Sequence, residues 1–545
     1  MKIAISQLNY HIGNFEGNLQ HMIEAIDKAK QGGADLICFS ELATTGYPPR
    51  DFLDFDDFIE LSYTAIDKLK SHTDDIAIVV GSPRHNPVAE GKDLYNSALV
   101  LYQREIVFTQ HKTLLPTYDI FDEYRYFEPA SEWNVFHFKG YRIALTICED
   151  IWNVGNENPM YTICPLDEMM PYKPDFIINI SASPFDYQSA QRRIEVIKAN
   201  VQRYRLPLFY VNHCGAQTEI LFDGGSLVVN QDGFVVDELP YFTPQVKIFD
   251  LEEVRQASGV GEQHKEKMDL IHRALIMGIR DYFNKLGFQR AIVGLSGGLD
   301  SALTCALAVE ALGASNVRGL LLPGPYSSDH SVEDARQLAE NLQIRYDVVG
   351  ITSAYDAILD SLKPVFEDNA FGLTEENIQA RIRGLFLMAV SNKSGDILLN
   401  TSNKSEAAVG YGTLYGDMAG GISVIGDLYK TEVFELAGYL NRHGEVIPLH
   451  TIQKPPSAEL RPDQKDSDSL PEYDILDVIL YQYIELSRSP QDIIEEGFDP
   501  ALVRRVCRLV NINEFKRYQA APVLRVSRKA FGMGRRMPIV GKYLS

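Results

Sequence analysis

The segment "LTICEDIW", residues 145–152, ends an apolar run with Cys148 and sets two carboxylates, Glu149 and Asp150, directly behind it. A thiolate is a strong nucleophile, but adjacent negative charge raises a thiol's pKa and works against it. Unless a cation offsets those acids, Cys148 is simply core filling. Two further apolar runs also end in reactive groups: "CFSELATTGYP" carries Glu41, and "TQHKTLLPTYDIFDEYRYF" carries Lys112. A lysine beside the thiol would favour thiolate, and a glutamate within reach could take the thiol proton and later activate water. Singly, each residue has an ordinary reading, as a packed cysteine or a solvated loop charge. Together they describe a hydrolytic set.

A second group lies in "AIVGLSGGLDSALTCALAVEALG", where Gly294, Leu295, Ser296, Gly297, Gly298, Leu299, Asp300 and Ser301 join a buried strand to a helix. Glycines admit a phosphate close to the backbone, and the helix N-terminus supplies unpaired N–H groups and positive potential. Ser296 and Ser301 could bind phosphate oxygens, and Asp300 could hold Mg2+. There is no GxxxxGK[ST], so this is not a Walker loop.

These groups need elements to hold them. With 545 residues the chain is too long for one ordinary core, which points to two large domains. In the first half, "GNLQHMIEAIDKAKQGG" puts Leu19, Met22, Ile23 and Ile26 on one helical face, with Gly32 and Gly33 at its C-terminal end. Apolar runs recur at "KIAISQLN", "ADLICFSEL", "IAIVVGSP", "YNSALVLY", "YRIALTIC", "DFIINISAS", "LPLFYVN" and "GGSLVVN". That rhythm predicts α/β layers of sheet covered by helices. Residues 251–265 are polar and acidic and read as a connection, which leaves domains at 1–250 and 266–545.

The formal net charge of -22 disfavours nucleic acid as a partner. No run approaches the roughly 18 apolar residues of a membrane span, and the start lacks a secretion signal's layout. Six cysteines scattered without CxxC pairing argue against a disulfide framework or a zinc site, and so for a reduced, cytoplasmic setting.

In chain order, "FSELATTGYP", "HKTLLPTY" and "TICEDIW" resemble the three signature segments of the nitrilase-like carbon-nitrogen hydrolases, over roughly residues 1–250. That resemblance implies an α-β-β-α sandwich. It implies Glu41 as general base, Lys112 as oxyanion stabiliser and Cys148 as the nucleophile that attacks an amide carbon. It also answers the opening question. A pocket for free L-glutamine must hold an α-ammonium, a task that falls to Glu149. Tyr118 and Ser183 match further glutamine contacts, and Glu123 matches the family's supporting glutamate. A basic residue expected six positions after Ser183 is replaced by Ser189, which leaves Arg192 or Arg193 to take its part.

"SGGLDS" resembles the pyrophosphate loop of the N-type ATP pyrophosphatases, which implies a C-terminal doubly wound parallel sheet like that of the adenine nucleotide α-hydrolases. "ENIQARIRG", "NTSNKSEAAVGYGTLYGDMAGG", "KPPSAELRPDQKDSDSLPEYDILD" and "INEFKRYQAAP" resemble NAD synthetases over most of residues 262–545. By position, Thr401 then contacts ATP, while Asn377, Glu406 and Lys516 contact deamido-NAD. Asp300 and Glu406 neighbour Mg2+, and Arg381, Asp417 and Lys430 are weaker candidates. The Pro- and Asp-rich residues 454–471 read as a cover that excludes water from an acyl-adenylate. The fusion as a whole resembles the glutamine-dependent NAD+ synthetases. It implies the substrates L-glutamine, ATP and deamido-NAD, with homo-oligomers as the working form. Two rivals stand beside it: the same fusion acting on another carboxylate or carbonyl, and a dinucleotide sensor without turnover.

Overall fold

The structure, a computed structural model, describes residues 1–158, 160–259, 265–366, 371–457, 459–461, 464 and 470–543. It divides into two compact units, Met1–Lys265 and Glu266–Ser545.

The first unit is built on two six-stranded sheets. One contains Lys2–Gln7, Leu36–Cys38, Ala77–His85, Leu94–Tyr102, Glu105–His111 and Gln245–Asp250. The other contains Phe136–Phe138, Tyr141–Ile147, Phe176–Ser181, Leu208–Asn212, Leu227–Val229 and Val235–Glu238. Alternate residues of the two sheets meet in one core, where Ile5, Cys38 and Val79 pack with Leu145, Ile178 and Phe209. The opposite faces are covered by helices. Phe15–Gln31 buries Leu19, Met22 and Ile26 against the first sheet, and Ser189–Tyr204 buries Ile194, Ile197 and Val201 against the second. The layers are therefore helix, sheet, sheet, helix. That order explains why these strands read as continuous apolar runs: both faces of each sheet are covered.

Two local details differ from the sequence reading. "ADLICFSEL" pairs as a strand only over Leu36–Cys38, although its buried character continues through Phe39 to Leu42. The chain leaves the sheet there and turns at Leu42, whose φ is +45°, so the apolar run is core-lining loop. Within the expected connection, Leu251–Gln256 is a helix, capped by Asp250 accepting from the Glu252 and Glu253 N–H groups. Its buried Leu251 and Val254 join the first unit's core, and six residues are too few to show a period.

The second unit holds a five-stranded parallel sheet in the order Arg345–Val348, Val317–Leu321, Ala291–Gly294, Ile397–Asn400, Ile422–Ser423. Helices lie on both faces. Leu299–Leu312 packs on one, and Leu373–Ser394 and Thr352–Phe366 pack on the other around Ile292, Leu320 and Leu398. The strand order reverses beside Ala291–Gly294, and in such sheets ligands bind beyond the carboxyl ends of the strands at that switch point. Helices Tyr473–Ile484 and Pro500–Ile512 build a satellite core, with Leu476, Leu480, Val503 and Val506 inside it. All six cysteines are free and buried. Among the described residues no helix is long and apolar enough to cross a membrane.

Candidate active sites

Three strand ends of the first unit converge on one buried ion network. Lys112 follows Glu105–His111, Glu41 follows Leu36–Cys38, and Cys148 follows Tyr141–Ile147. The Lys112 ammonium, with no solvent exposure, donates to Glu41 Oε1 at 2.7 Å and to Glu123 at 2.8 Å. Asn96 Nδ2 donates to the same Glu41 oxygen at 2.7 Å, and the Ala182 N–H donates to the other at 3.0 Å. Tyr47 donates to Glu123 Oε1 at 2.8 Å. Every polar neighbour thus favours one orientation of Glu41, as a fixed proton acceptor requires.

Cys148 opens a short 3-10 turn, Cys148–Ile151, and takes a positive φ of +44°. Burial, and next the charge on Glu41, push its thiol well above the ordinary range, and the opposing pull of Lys112 is weaker. Lys112 acts in the direction expected of a cation beside the thiol, but it does not outweigh burial and Glu41. The lysine charge is already divided between two glutamates, so the thiol rests neutral and needs a base at the moment of attack.

The turn itself is held by Asp150. Its Oδ1 accepts from the Thr113 and Leu114 N–H groups, both at 2.9 Å, and its Oδ2 accepts from the Ile147 N–H at 3.0 Å. One carboxylate therefore ties the nucleophile turn to the segment after Lys112. The sequence reading gave Asp150 no role beyond charge, because two of its three partners lie 36 and 37 residues away.

Glu149 is buried beside the thiol. Tyr118 donates to both its oxygens at 3.1 and 3.2 Å, and Tyr161 donates to Oε1 at 2.6 Å. Burial raises the Glu149 carboxyl, and the Tyr161 hydrogen bond acts against that rise. Tyr161 escaped the sequence reading because it belongs to no motif named there. The Ser183 N–H donates to Asn212 Oδ1 at 2.8 Å, and Asn212 Nδ2 donates to the Ser183 carbonyl at 3.3 Å. The two arginines separate cleanly. Arg193 is 1% exposed and makes a two-pronged pair with Asp223 at 3.0 and 2.8 Å, so its two terminal nitrogens are committed inside the fold. Arg192 is more than a third exposed and pairs with Asp186. Ser189 exchanges hydrogen bonds with Asp186 at the start of helix Ser189–Tyr204.

In the second unit, the turn after Ala291–Gly294 places Gly297 at φ +78°, where a Cβ would come within 2.2 Å of the Ser331 carbonyl oxygen. Only glycine fits that combination. Ser296 Oγ lies 3.1 Å from Ser301 Oγ and accepts from the Gly298 N–H at 3.2 Å, so both hydroxyls sit at the start of helix Leu299–Leu312. A cavity of about 280 Å³ opens there, lined by Gly294, Leu295, Ser296, Gly298, Leu299, Asp300 and Ser301. Thr401, Glu406, Asp417 and Lys430 line it too.

Asn403 joins the two candidate metal carboxylates. Its side-chain amide donates to Asp300 Oδ1 at 3.0 Å, and its backbone N–H donates to Glu406 Oε2 at 3.3 Å. Lys430, almost fully buried, pairs with the other Asp300 oxygen. Among the described residues no group of three or more His, Cys, Asp or Glu forms a metal cage.

Asn377 and Lys516 are absent from the cavity lining and clamp the glycine-rich segment instead. Asn377 accepts from Thr413 Oγ1 at 2.7 Å, and Lys516 donates to the Gly410 and Gly412 carbonyls at 2.7 and 2.8 Å. Arg381 is exposed and donates to the Leu414 carbonyl at 3.2 Å. Arg383, two positions on, lines the cavity and was not singled out in the sequence. Of the expected cover, Lys454, Pro455, Pro456, Ser457, Glu459 and Leu460 line the cavity, whereas residues 458, 462–463 and 465–469 lie outside the described residues.

Comparison with known proteins accounts for both units. A family model described as carbon-nitrogen hydrolase matches residues 2–258, and one described as NAD synthase matches residues 271–520. A glutamine-dependent NAD(+) synthetase of Synechocystis sp. is 44% identical, with 98% of each chain covered. One from Thermotoga maritima is 39% identical over 100% of this chain and 99% of its own. The solved structure of glutamine-dependent NAD+ synthetase from Acinetobacter baumannii, in complex with adenosine diphosphate, matches with TM-score 0.78 at 38% identity over 99% of both chains. A second, from Cytophaga hutchinsonii, matches with TM-score 0.84 at 20% identity over 99% and 98%, and speaks to the fold alone. On full-length relatedness of this order, this chain belongs to the glutamine-dependent NAD(+) synthetase family.

Proposed function

We propose that the chain amidates deamido-NAD+ to NAD+, consuming ATP and using ammonia freed from L-glutamine. One observation carries the reading: separate segments of the chain bring Glu41, Lys112 and Glu123 into a single buried network around Cys148.

In the first unit Glu41 takes the Cys148 proton as sulfur attacks the glutamine amide carbon. The developing oxyanion meets the Lys112 ammonium and the Glu149 backbone N–H. The proton passes to the leaving nitrogen, ammonia departs, and a glutamyl thioester remains. Glu41 then deprotonates water, which cleaves the thioester and restores the thiol. Glu149, Tyr118 and Ser183 hold the amino-acid end of glutamine.

In the second unit the nicotinate carboxylate attacks the α-phosphorus of ATP and pyrophosphate leaves, which converts a poor leaving group into AMP. Ammonia adds to the resulting carbonyl and AMP departs. Ser296, Ser301 and the loop N–H groups receive the phosphates, and Thr401 contacts ATP. Glu406, with Asn377 and Lys516 around the glycine segment, serves the dinucleotide. Two carboxylates sharing Asn403 beside a phosphate loop fit Mg2+, which keeps several waters and takes one or two carboxylates plus substrate phosphates. Asp300 and Glu406 would hold the ion, and it would neutralise charge developing on the pyrophosphate. The working form is a homo-oligomer, a part of the proposal that rests on the family resemblance, and its cytoplasmic setting rests on the scattered cysteines; light scattering and cell fractionation test the two.

The test of the whole is NAD+ formation from deamido-NAD+, ATP and Mg2+, with either glutamine or high ammonium. Cys148→Ala fails with glutamine and retains wild-type rates with ammonium. Glutamine consumption by the wild type without NAD+ formation from either nitrogen source would refute the acceptor.

A further inference from the structure

Glu149 has a second tyrosine that the reaction outlined above does not use. Tyr161 Oη donates to Glu149 Oε1 at 2.6 Å, shorter than the 3.1 and 3.2 Å bonds from Tyr118. Tyr161 comes from a long loop between the nucleophile turn and helix Pro165–Met169, and that loop has its own internal anchor. Asn153, 1% exposed, donates through Nδ2 to the Ile163 carbonyl at 2.6 Å and to Asn156 Oδ1 at 2.9 Å. Its Oδ1 accepts from the Asn158 N–H at 3.0 Å. The loop is therefore cross-braced from Asn153 to Ile163, and the brace ends two residues from the tyrosine. A braced segment that delivers a hydroxyl to a buried carboxylate next to the nucleophile acts on what that carboxylate binds.

We propose that Tyr161 is a positioning residue for substrate selection in the glutaminase unit. It fixes the Glu149 carboxylate so that an α-ammonium is accepted and amides without one are refused. The inference rests on the proposed function, which gives Glu149 the α-ammonium. Two phenols on one carboxylate leave part of its lone-pair capacity open, in a fixed direction. A carboxylate held by one phenol can swing, and the ammonium then loses its aligned partner. Selectivity of this type comes from a buried polar group that stays unsatisfied when the wrong substrate enters.

The experiment compares wild type with Tyr161→Phe and with Asn153→Ala, which loosens the loop and keeps the phenol. Steady-state hydrolysis is measured on L-glutamine and on 4-carboxybutyramide, the same amide without its amino group. Ammonium-driven NAD+ formation is measured in parallel on the full chain. Loss of one hydrogen bond to a charged group predicts a rise of about tenfold or more in KM for glutamine. The kcat for glutamine changes by less than about threefold, and kcat/KM for the desamino amide stays put. Asn153→Ala moves KM in the same direction by a smaller factor. Ammonium-driven synthesis is unaffected in both variants. An unchanged KM in Tyr161→Phe overturns the inference. So does an equal loss on both amides, which would mark Tyr161 as part of the general scaffold. Failure of the underlying reading looks different, because the wild type itself would then show no preference for the amide that bears an ammonium.

Discussion

Cys148 sits in a site whose charges point in opposing directions, and Asp150 is the residue that keeps the site assembled. Three backbone N–H groups from two segments end on that carboxylate. Asp150→Asn keeps the size, but it removes the charge and turns an amide NH2 toward N–H donors. An unsatisfied buried donor costs about 1–3 kcal/mol, so glutamine-dependent kcat/KM falls by about 10- to 100-fold. Ammonium-driven synthesis stays at the wild-type rate, because the defect is confined to the first unit. Parallel assays with the two nitrogen sources check this. At this scale the sequence was legible in kind and illegible in partnership. Glu41, Lys112 and Cys148 could be picked out as residues able to do chemistry. That Lys112 divides its charge between Glu41 and Glu123, and so leaves the thiol neutral, depends on distances no spacing rule conveys.

Among the elements, strand Glu105–His111 carries a built-in pH limit. His111 stacks on Tyr95 with ring centroids 4.1 Å apart, its Nδ1 lies 2.7 Å from Ser97 Oγ, and burial lowers its pKa to about 4. The unfolded chain's histidine titrates near 6.5. Between about pH 6.5 and pH 4 the unfolded state binds a proton that the folded state refuses, so stability falls as pH drops through that window and is unaffected above it. The full effect is about 2–3 kcal/mol once its residual exposure is allowed for. In His111→Gln the urea midpoint changes less between pH 7.5 and pH 5 than it does in the wild type. The loop after Ala291–Gly294 is limited sterically: in Gly297→Ala the methyl meets the Ser331 carbonyl oxygen within 2.2 Å. NAD+ formation from ammonium drops by about 100-fold or more, and glutamine hydrolysis measured on its own is retained. Most strands were readable because layers on both faces of a sheet force continuous apolar runs. The run at "ADLICFSEL" misled in extent because core-lining loop obeys the same solvent rule as strand. Helix Leu251–Gln256 was missed for the opposite reason, being too short for any period.

The molecule as a whole contains two units with separate cores, Met1–Lys265 and Glu266–Ser545. Each holds the groups proposed for its own half-reaction. Expressed separately, residues 1–265 are expected to hydrolyse glutamine, and residues 266–545 to make NAD+ from ammonium. Circular dichroism and the two assays decide it, and an unfolded or inactive fragment would show that the halves complete one another. The two-part organisation was visible in the change of pattern near residue 260, but the cavity was not. Its walls come from Ser296, Thr401 and Lys454, which only the sheet's strand order brings together. All six cysteines, Cys148 among them, are buried. A molecule with no thiol at its surface has no handle for disulfide cross-linking to its neighbours in air. In the native protein a bulky disulfide reagent would register almost nothing, and on unfolding it would register all six thiols, so the colour it develops would count unfolded molecules.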